Sequence, residues 1–307
     1  MDWWCKRRNT GWENMMSDPL IVIDRRRERT DALRDMLAGC PTFLIGGGPS
    51  TKSLDMTRLR RRGIFTMAIN NMAGSFHASA FVHSDPPSKF HNGIWLDPTI
   101  MKFVPAPKFT DRGRGDLRYK QDGEFHHLKD DSGKPIRTQD CPNTWGFGRR
   151  AWWTFDDTFF THEEATWGNA DAGVTKTGNE KTMCTLLLGL RLLYYLGSRK
   201  IFLVGVDFDM SVEGGYSFPQ GRTEWAIRSN SHQYAVVNHG LCKMVENRAF
   251  ENAGLQVFNC NPKSGLRAFP HAPFPAAIAD TLRGFPAEPL DLEGWYEKKE
   301  KEKEKKK

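Results

Sequence analysis

Thr42-Phe-Leu-Ile-Gly-Gly-Gly-Pro-Ser50 is the stretch whose reading decides the fold. Phe43 to Ile45 has the apolar run of a short buried strand, and three glycines follow at once. Asp55 to Arg62 then reads as a helix with basic residues at its end. Strand, glycine turn and helix bring backbone N–H groups close to a phosphate, because glycine has no Cβ to block the approach and the helix N-terminus carries partial positive charge. Neither a P-loop lysine nor a G-x-G-x-x-G spacing is present, and Pro49 favours a tight turn. The competing reading is a strand-to-helix turn that binds nothing.

Working outward, other apolar runs end in polar residues in the same way. Gly63 to Asn70 reads as a second strand and Ala78 to Pro86 as a third, ending at Asp85. Lys200-Ile-Phe-Leu-Val-Gly-Val-Asp207 is apolar almost throughout, as a central parallel strand is, with Asp207-Phe-Asp209 at its exit. Leu255 to Cys260 is a further strand, leaving through Asn261 and Ser264. Leu20 to Ile23 is a short strand or a lead-in. Arg25 to Ala38 reads as an amphipathic helix stopped by Gly39, Thr182 to Leu196 as a helix ended by Gly197, and His232 to Ala253 as a helix ended by Gly254. This layout predicts an α/β, Rossmann-like, mostly parallel sheet with helices on both faces, whose strand ends converge on one crevice. It is read as a single domain over residues 1–290.

Residues 105–175 break the rhythm. They are rich in Gly, Pro, Asp and aromatics, including Trp145, Phe147, Trp152, Trp153, Phe155, Phe159, Phe160 and Trp167. A loop-rich insertion of that length reads as a lid or acceptor platform on which a sugar or base stacks, or as a satellite hydrophobic cluster. After residue 290 the chain becomes a charged Glu/Lys tail.

The formal charge is +7, but Glu297–Lys307 holds seven lysines and four glutamates, leaving +4 on the rest. Such a body is mildly basic. The clusters Arg25–Arg27, Arg58–Arg62 and Arg149–Arg150 either meet phosphates or are solvated faces. Six cysteines show no C-x-x-C pair, so a zinc site is not expected, and free thiols in a reducing cytoplasm are. No apolar run reaches the length of a membrane span or a signal peptide. His232 and His239 sit at the predicted start of the helix after the best strand, where a histidine serves as a general base near neutral pH.

In order, Gly46-Gly-Gly-Pro-Ser50, Ala68-Ile-Asn70, Leu196-Gly-x-x-x-Ile201, Gly205-Val-Asp-Phe208, Gly215-Tyr-Ser-Phe218 and Cys260-Asn-Pro-Lys-Ser264 resemble the bacterial sialyltransferases of glycosyltransferase family 42. They are also similar to the related MptE-like family. The resemblance covers roughly residues 42–90 and 178–268. It implies that Gly46, Gly47, Gly48, Ser50 and Asn70 bind the nucleotide of a CMP- or UDP-linked sugar donor, with Asp85 beside them; Asn261 and Ser264, polar residues at a strand exit, and Tyr234, next to His232, are read as facing the same crevice. It implies that Tyr216 steadies the leaving phosphate and that His232 or His239 deprotonates the acceptor. The family's second tyrosine is Asp209 here, which leaves the sugar open. Asp207-Phe-Asp209 also resembles the D-x-D element by which other glycosyltransferases hold a divalent metal.

The expected function is transfer of a sugar from a nucleotide donor to a hydroxyl. The acceptor is a glycan or a hydroxymethylated base in viral DNA, in the latter case within a bacterial host cell. Two other readings stand beside it: an MptE-like pyrophosphokinase using ATP and magnesium at Asp85, Asp207 and Asp209, and a nucleic-acid-binding protein without catalysis.

Overall fold

Phe43, Leu44 and Ile45 are fully buried, and they point alternately to the two faces of one sheet. Leu44 joins a core cluster that includes Met67, Val82, Phe103 and Leu203, while Phe43 and Ile45 join another with Ala68, Phe81, Val104 and Val204. A strand buried on both faces needs cover on both, which is the α/β sandwich the sequence predicts. The structure, a computed structural model, describes residues 19–111, 113–150, 155–169, 182–210, 215–221 and 223–283.

The main sheet has eight strands. They are β1 (Val22–Ile23), β2 (Thr42–Ile45), β3 (Phe65–Ile69), β4 (Ala80–Val82), β5 (Met101–Pro105), β6 (Thr144–Phe147), β7 (Lys200–Val204) and β8 (Gln256–Asn259). Their spatial order is β1-β6-β5-β4-β3-β2-β7-β8. All neighbours are parallel except β1, which pairs antiparallel with β6 at one edge. From β2 the chain builds outward through β3, β4, β5 and β6, then returns to add β7 and β8 on the other side. The order therefore reverses between β2 and β7. At such a switch point the connections leave in opposite directions and open a crevice at the carboxyl ends.

Helix α1 (Thr185–Tyr195) is buried along its whole length and fills one face, with Leu186, Leu187, Leu188, Leu190, Leu192 and Leu193 in that face's cluster. Its end reads as expected: Gly197 takes φ +94°. A Cβ there would come 2.7 Å from Asp35 Cα, so a side chain has no room. Helix α2 (Glu224–Glu246) follows Thr223, whose hydroxyl accepts from Ala226 N at 3.1 Å as an N-cap. Helix α3 (Phe274–Thr281) covers the other face through Phe274, Ala277 and Ile278.

Four expectations are corrected. Residues 25–38 form turns, not a helix, because Arg27 and Asp35 have φ +68° and +56°. Leu33 and Leu37 still face inward, and Asp35 N and Leu37 N donate to Tyr195 O and Leu196 O, closing the end of α1. Asp55–Arg62 is a short 3-10 turn over Met56–Arg60. The 105–175 stretch is not only an insertion, since β6 lies within it and sits between β5 and β1. Its aromatics mostly serve packing: Phe147, Phe159 and Phe160 are buried in the core, with Trp145 and Phe155 against them, and Trp152 and Trp153 lie outside the described residues. Cys40 is disulfide-bonded, against the expectation of free thiols throughout, while Cys141, Cys184, Cys242 and Cys260 are free. No helix among the described residues is long and apolar enough to cross a membrane.

Truncating Leu190, fully buried in α1, to alanine should cost about 2–5 kcal/mol in urea denaturation, whereas Leu96→Ala should stay within about 0.5 kcal/mol. Leu96 is 47% exposed.

A candidate active site at the switch point

A cavity of about 400 Å³ opens at the carboxyl ends of β2 and β7. Gly46, Gly47 and Gly48 line it side by side with Gly205 to Met210. Asn70, Ser84 and Asp85 enter from the exits of β3 and β4, Thr185 from the start of α1, and Asn230, Gln233 and Tyr234 from α2.

The glycines do a different task from the one expected. A Cβ on Gly46 would lie 2.5 Å from Gly205 O, and one on Gly48 2.5 Å from Asp207 Oδ2. Glycine is required because two backbones press together here. The amides of Gly46 and Gly48 are also spent inside the protein. Gly46 N and Gly48 N donate to Val204 O and Gly205 O at 2.8 Å each, and Ser50 N donates to Asp207 Oδ2 at 2.8 Å. These amides do not face a phosphate, and the 3-10 turn Pro49–Ser53 is too short to carry a helix dipole.

Asp207 is the clasp of the site. Its carboxylate accepts from Ser50 N, from Ser50 Oγ at 2.5 Å and from Asn261 Nδ2 at 2.8 Å. Its backbone oxygen accepts from Gly265 N at 2.8 Å, and Ser264 Oγ donates to Val206 O at 2.7 Å. Ser50, Asn261 and Ser264, expected at the nucleotide, instead tie the exits of β2, β7 and β8 together. None of the three lines the cavity. Strand alternation would put Asp207 and Asp209 on one face, but Phe208 between them has φ +51° and turns the chain. Both oxygens of Asp207 are engaged by donors, so the pair does not fit a D-x-D metal site. Among the described residues no group of three or more His, Cys, Asp or Glu side chains could hold a metal.

His232 and His239 are corrected as well. Helix α2 begins at Glu224, so both lie well inside it rather than at its start. Both are exposed, and neither lines the cavity. The α2 face that does so carries Asn230, Gln233 and Tyr234, spaced i, i+3, i+4. Of these only Tyr234 is among the residues expected from the sequence. The missed signal was Thr223-Glu224, a capping residue followed by an acid.

The expected residues that do meet in the wall are Gly46, Gly47, Gly48, Asn70, Asp85, Asp207, Asp209, Tyr216 and Tyr234. Asn70 holds φ +51°, which turns its side chain toward α1, where Nδ2 donates to Thr185 Oγ1 at 3.3 Å. Asp85 pairs with Lys89 at 3.1 Å. Two flat aromatic pairs frame the space: Phe208 on Tyr234, with ring centroids 4.5 Å apart and planes 2° from parallel, and Tyr216 on Phe218 at 5.4 Å and 4°. Behind the wall, His83 is fully buried beside Phe81, Phe90 and Trp95. Burial, helped by the charge of Lys108, pushes its pKa down to about 3, so it stays neutral.

Comparison with protein-family models, with curated proteins and with solved structures finds no match to this chain.

Asp207→Asn should lower stability by about 1–3 kcal/mol, because an amide NH2 would face the donors of Ser50 or Asn261. Asp209→Asn should move the thermal midpoint by less. Equal midpoints for the two variants would contradict the clasp.

Proposed function

We propose that the chain is a glycosyltransferase that moves a sugar from a nucleotide-activated donor to an acceptor hydroxyl. One observation carries the reading: the switch-point cavity presents two flat aromatic pairs and the carboxylates Asp85 and Asp209 to the same space. Flat rings suit a nucleobase and a pyranose, which stack on aromatic faces. The carboxyl ends of a doubly wound sheet are where nucleotides bind.

Asp209 takes the role of general base in place of His232 or His239, since it is a proton acceptor on the cavity wall. Its carboxylate removes the acceptor's hydroxyl proton, the oxygen attacks the anomeric carbon, and the bond from that carbon to the phosphate oxygen breaks. The nucleotide leaves with the electron pair, and Tyr216 steadies its phosphate.

Two of the three arginine clusters lie away from the cavity, and this favours a saccharide acceptor over the extended phosphate backbone of DNA. The 3-10 turn over Met56–Arg60 leads into Arg61 and Arg62 just before β3 begins, and Arg25–Arg27 follow β1, which runs antiparallel. Both clusters therefore sit at the amino edge of the sheet, away from the cavity. The pyrophosphokinase reading asks for magnesium ligands at Asp207, which Ser50 and Asn261 engage instead.

Thermal stabilisation by CMP-, UDP- and GDP-linked sugars and by ATP, with and without magnesium, tests the reading. A CMP- or UDP-linked sugar should raise the midpoint without magnesium, by the equivalent of about 2.7 kcal/mol at 100 times its Kd, and Tyr234→Ala should weaken that shift. Stabilisation by ATP and magnesium alone would replace the transferase with the pyrophosphokinase. No shift with any of them would overturn both.

A further inference from the structure

Of the three arginine clusters, only Arg149–Arg150 lies at the cavity's edge of the sheet, directly after β6. Residues 149–150 pair in parallel with Ala165–Thr166, and this brings Trp167 beside Arg149. The guanidinium carbon sits 4.2 Å from the centroid of the Trp167 ring, and Trp167 lines the cavity. Lys108 reaches the same place from the short helix Ala106–Thr110 after β5. Its ammonium donates to the backbone oxygen of Ser84, another lining residue. The exits of β4, β5 and β6 thus deliver two cations to one corner.

That corner has donors in excess. Arg149 Nε, Arg149 Nη1 and Trp167 Nε1 are buried and have no hydrogen-bond partner among the described residues. Buried donors without acceptors are costly, and two adjacent cations cost more. Burial, together with the neighbouring Arg149 charge, pushes the Lys108 pKa down to about 8, and burial also lowers that of Arg149. Asp85, the carboxylate that acts on Lys108, is also paired with Lys89. His83, which feels the charges of both Lys108 and Arg149, is neutral, and the remaining groups that act on Lys108, Lys89 and Arg114, are cations. Desolvated cations beside unpaired N–H groups are complementary to an oxyanion, and a guanidinium held over an indole face has lost much of the freedom it would otherwise lose on binding one.

We infer that Arg149, Lys108 and the Trp167 indole N–H form an anion subsite beside the nucleotide cavity, which takes a carboxylate or phosphate of the substrate. The inference deepens the transferase reading and rests on it only for the nucleotide next door. Under it, the transferred sugar or its acceptor is acidic.

Calorimetric titration of wild type, Arg149→Gln and Arg149→Lys tests it with CMP, UDP, UDP-glucose, UDP-glucuronate, CMP-N-acetylneuraminate and inorganic phosphate. A donor carboxylate appears as an acidic nucleotide sugar binding about tenfold tighter than its neutral or bare counterpart. An acceptor phosphate appears instead as inorganic phosphate binding alongside CMP or UDP. Arg149→Gln should abolish whichever preference is found, leave bare nucleotide unchanged, and be rescued in part by Arg149→Lys. If Arg149→Gln fails to fold, Lys108→Met should show the same selective loss. Phosphate binding that depends on Arg149 without any nucleotide binding would sink the transferase and leave the subsite standing. Equal affinities of wild type and variants for every probe would overturn the subsite.

Discussion

The bond set on which the site depends is the buried carboxylate of Asp207 holding Ser50 and Asn261. One side chain at the exit of β7 ties down the turn after β2 on one side and the turn after β8 on the other. Three strand exits are thereby fixed at the place where the sheet order reverses. Parallel sheets open there in any case. Here the opening is held at a set width, since the Gly46 and Gly205 backbones touch with no room for a Cβ. The Asp207 carboxylate accepts three hydrogen bonds, an arrangement that stabilises a buried carboxylate.

How much of this was legible in the sequence follows from how local each signal is. Strands β2, β3, β4, β7 and β8 are short apolar runs ending in polar residues, and a pattern of neighbours suffices to find them. Helix α1 declared itself through its leucines. Residues 25–38 kept the inward face of a helix but not its backbone, because two residues at positive φ and a pairing with the end of α1 are matters of tertiary context. Strand β6 was hidden because Thr144-Trp-Gly-Phe147 is short, and its partner β5 lies a long excursion upstream.

The site was legible as a place more than as a set of roles. Nine of the expected residues meet in the cavity wall. A polar residue at a strand exit can face the ligand or face the neighbouring exit, and spacing does not distinguish the two. Ser50, Asn261 and Ser264 face the neighbour. His232 and His239 were placed by a helix start read eight residues late, from Glu224 to His232, and that turned attention from the face carrying Asn230 and Gln233. Arg149 stood out only once the sheet order separated it from the two arginine clusters on the opposite edge.

The central claim is that a nucleotide occupies the space between the two aromatic pairs. Hydrogen exchange of the amides, measured with and without saturating CMP or UDP, addresses it most directly, because slowed exchange localises the ligand by segment. The account predicts slower exchange in residues 205–210, 215–221 and 228–236, with residues 58–62 at the amino edge unchanged. Protection confined to the amino edge, or none around the cavity under saturating nucleotide, would contradict it.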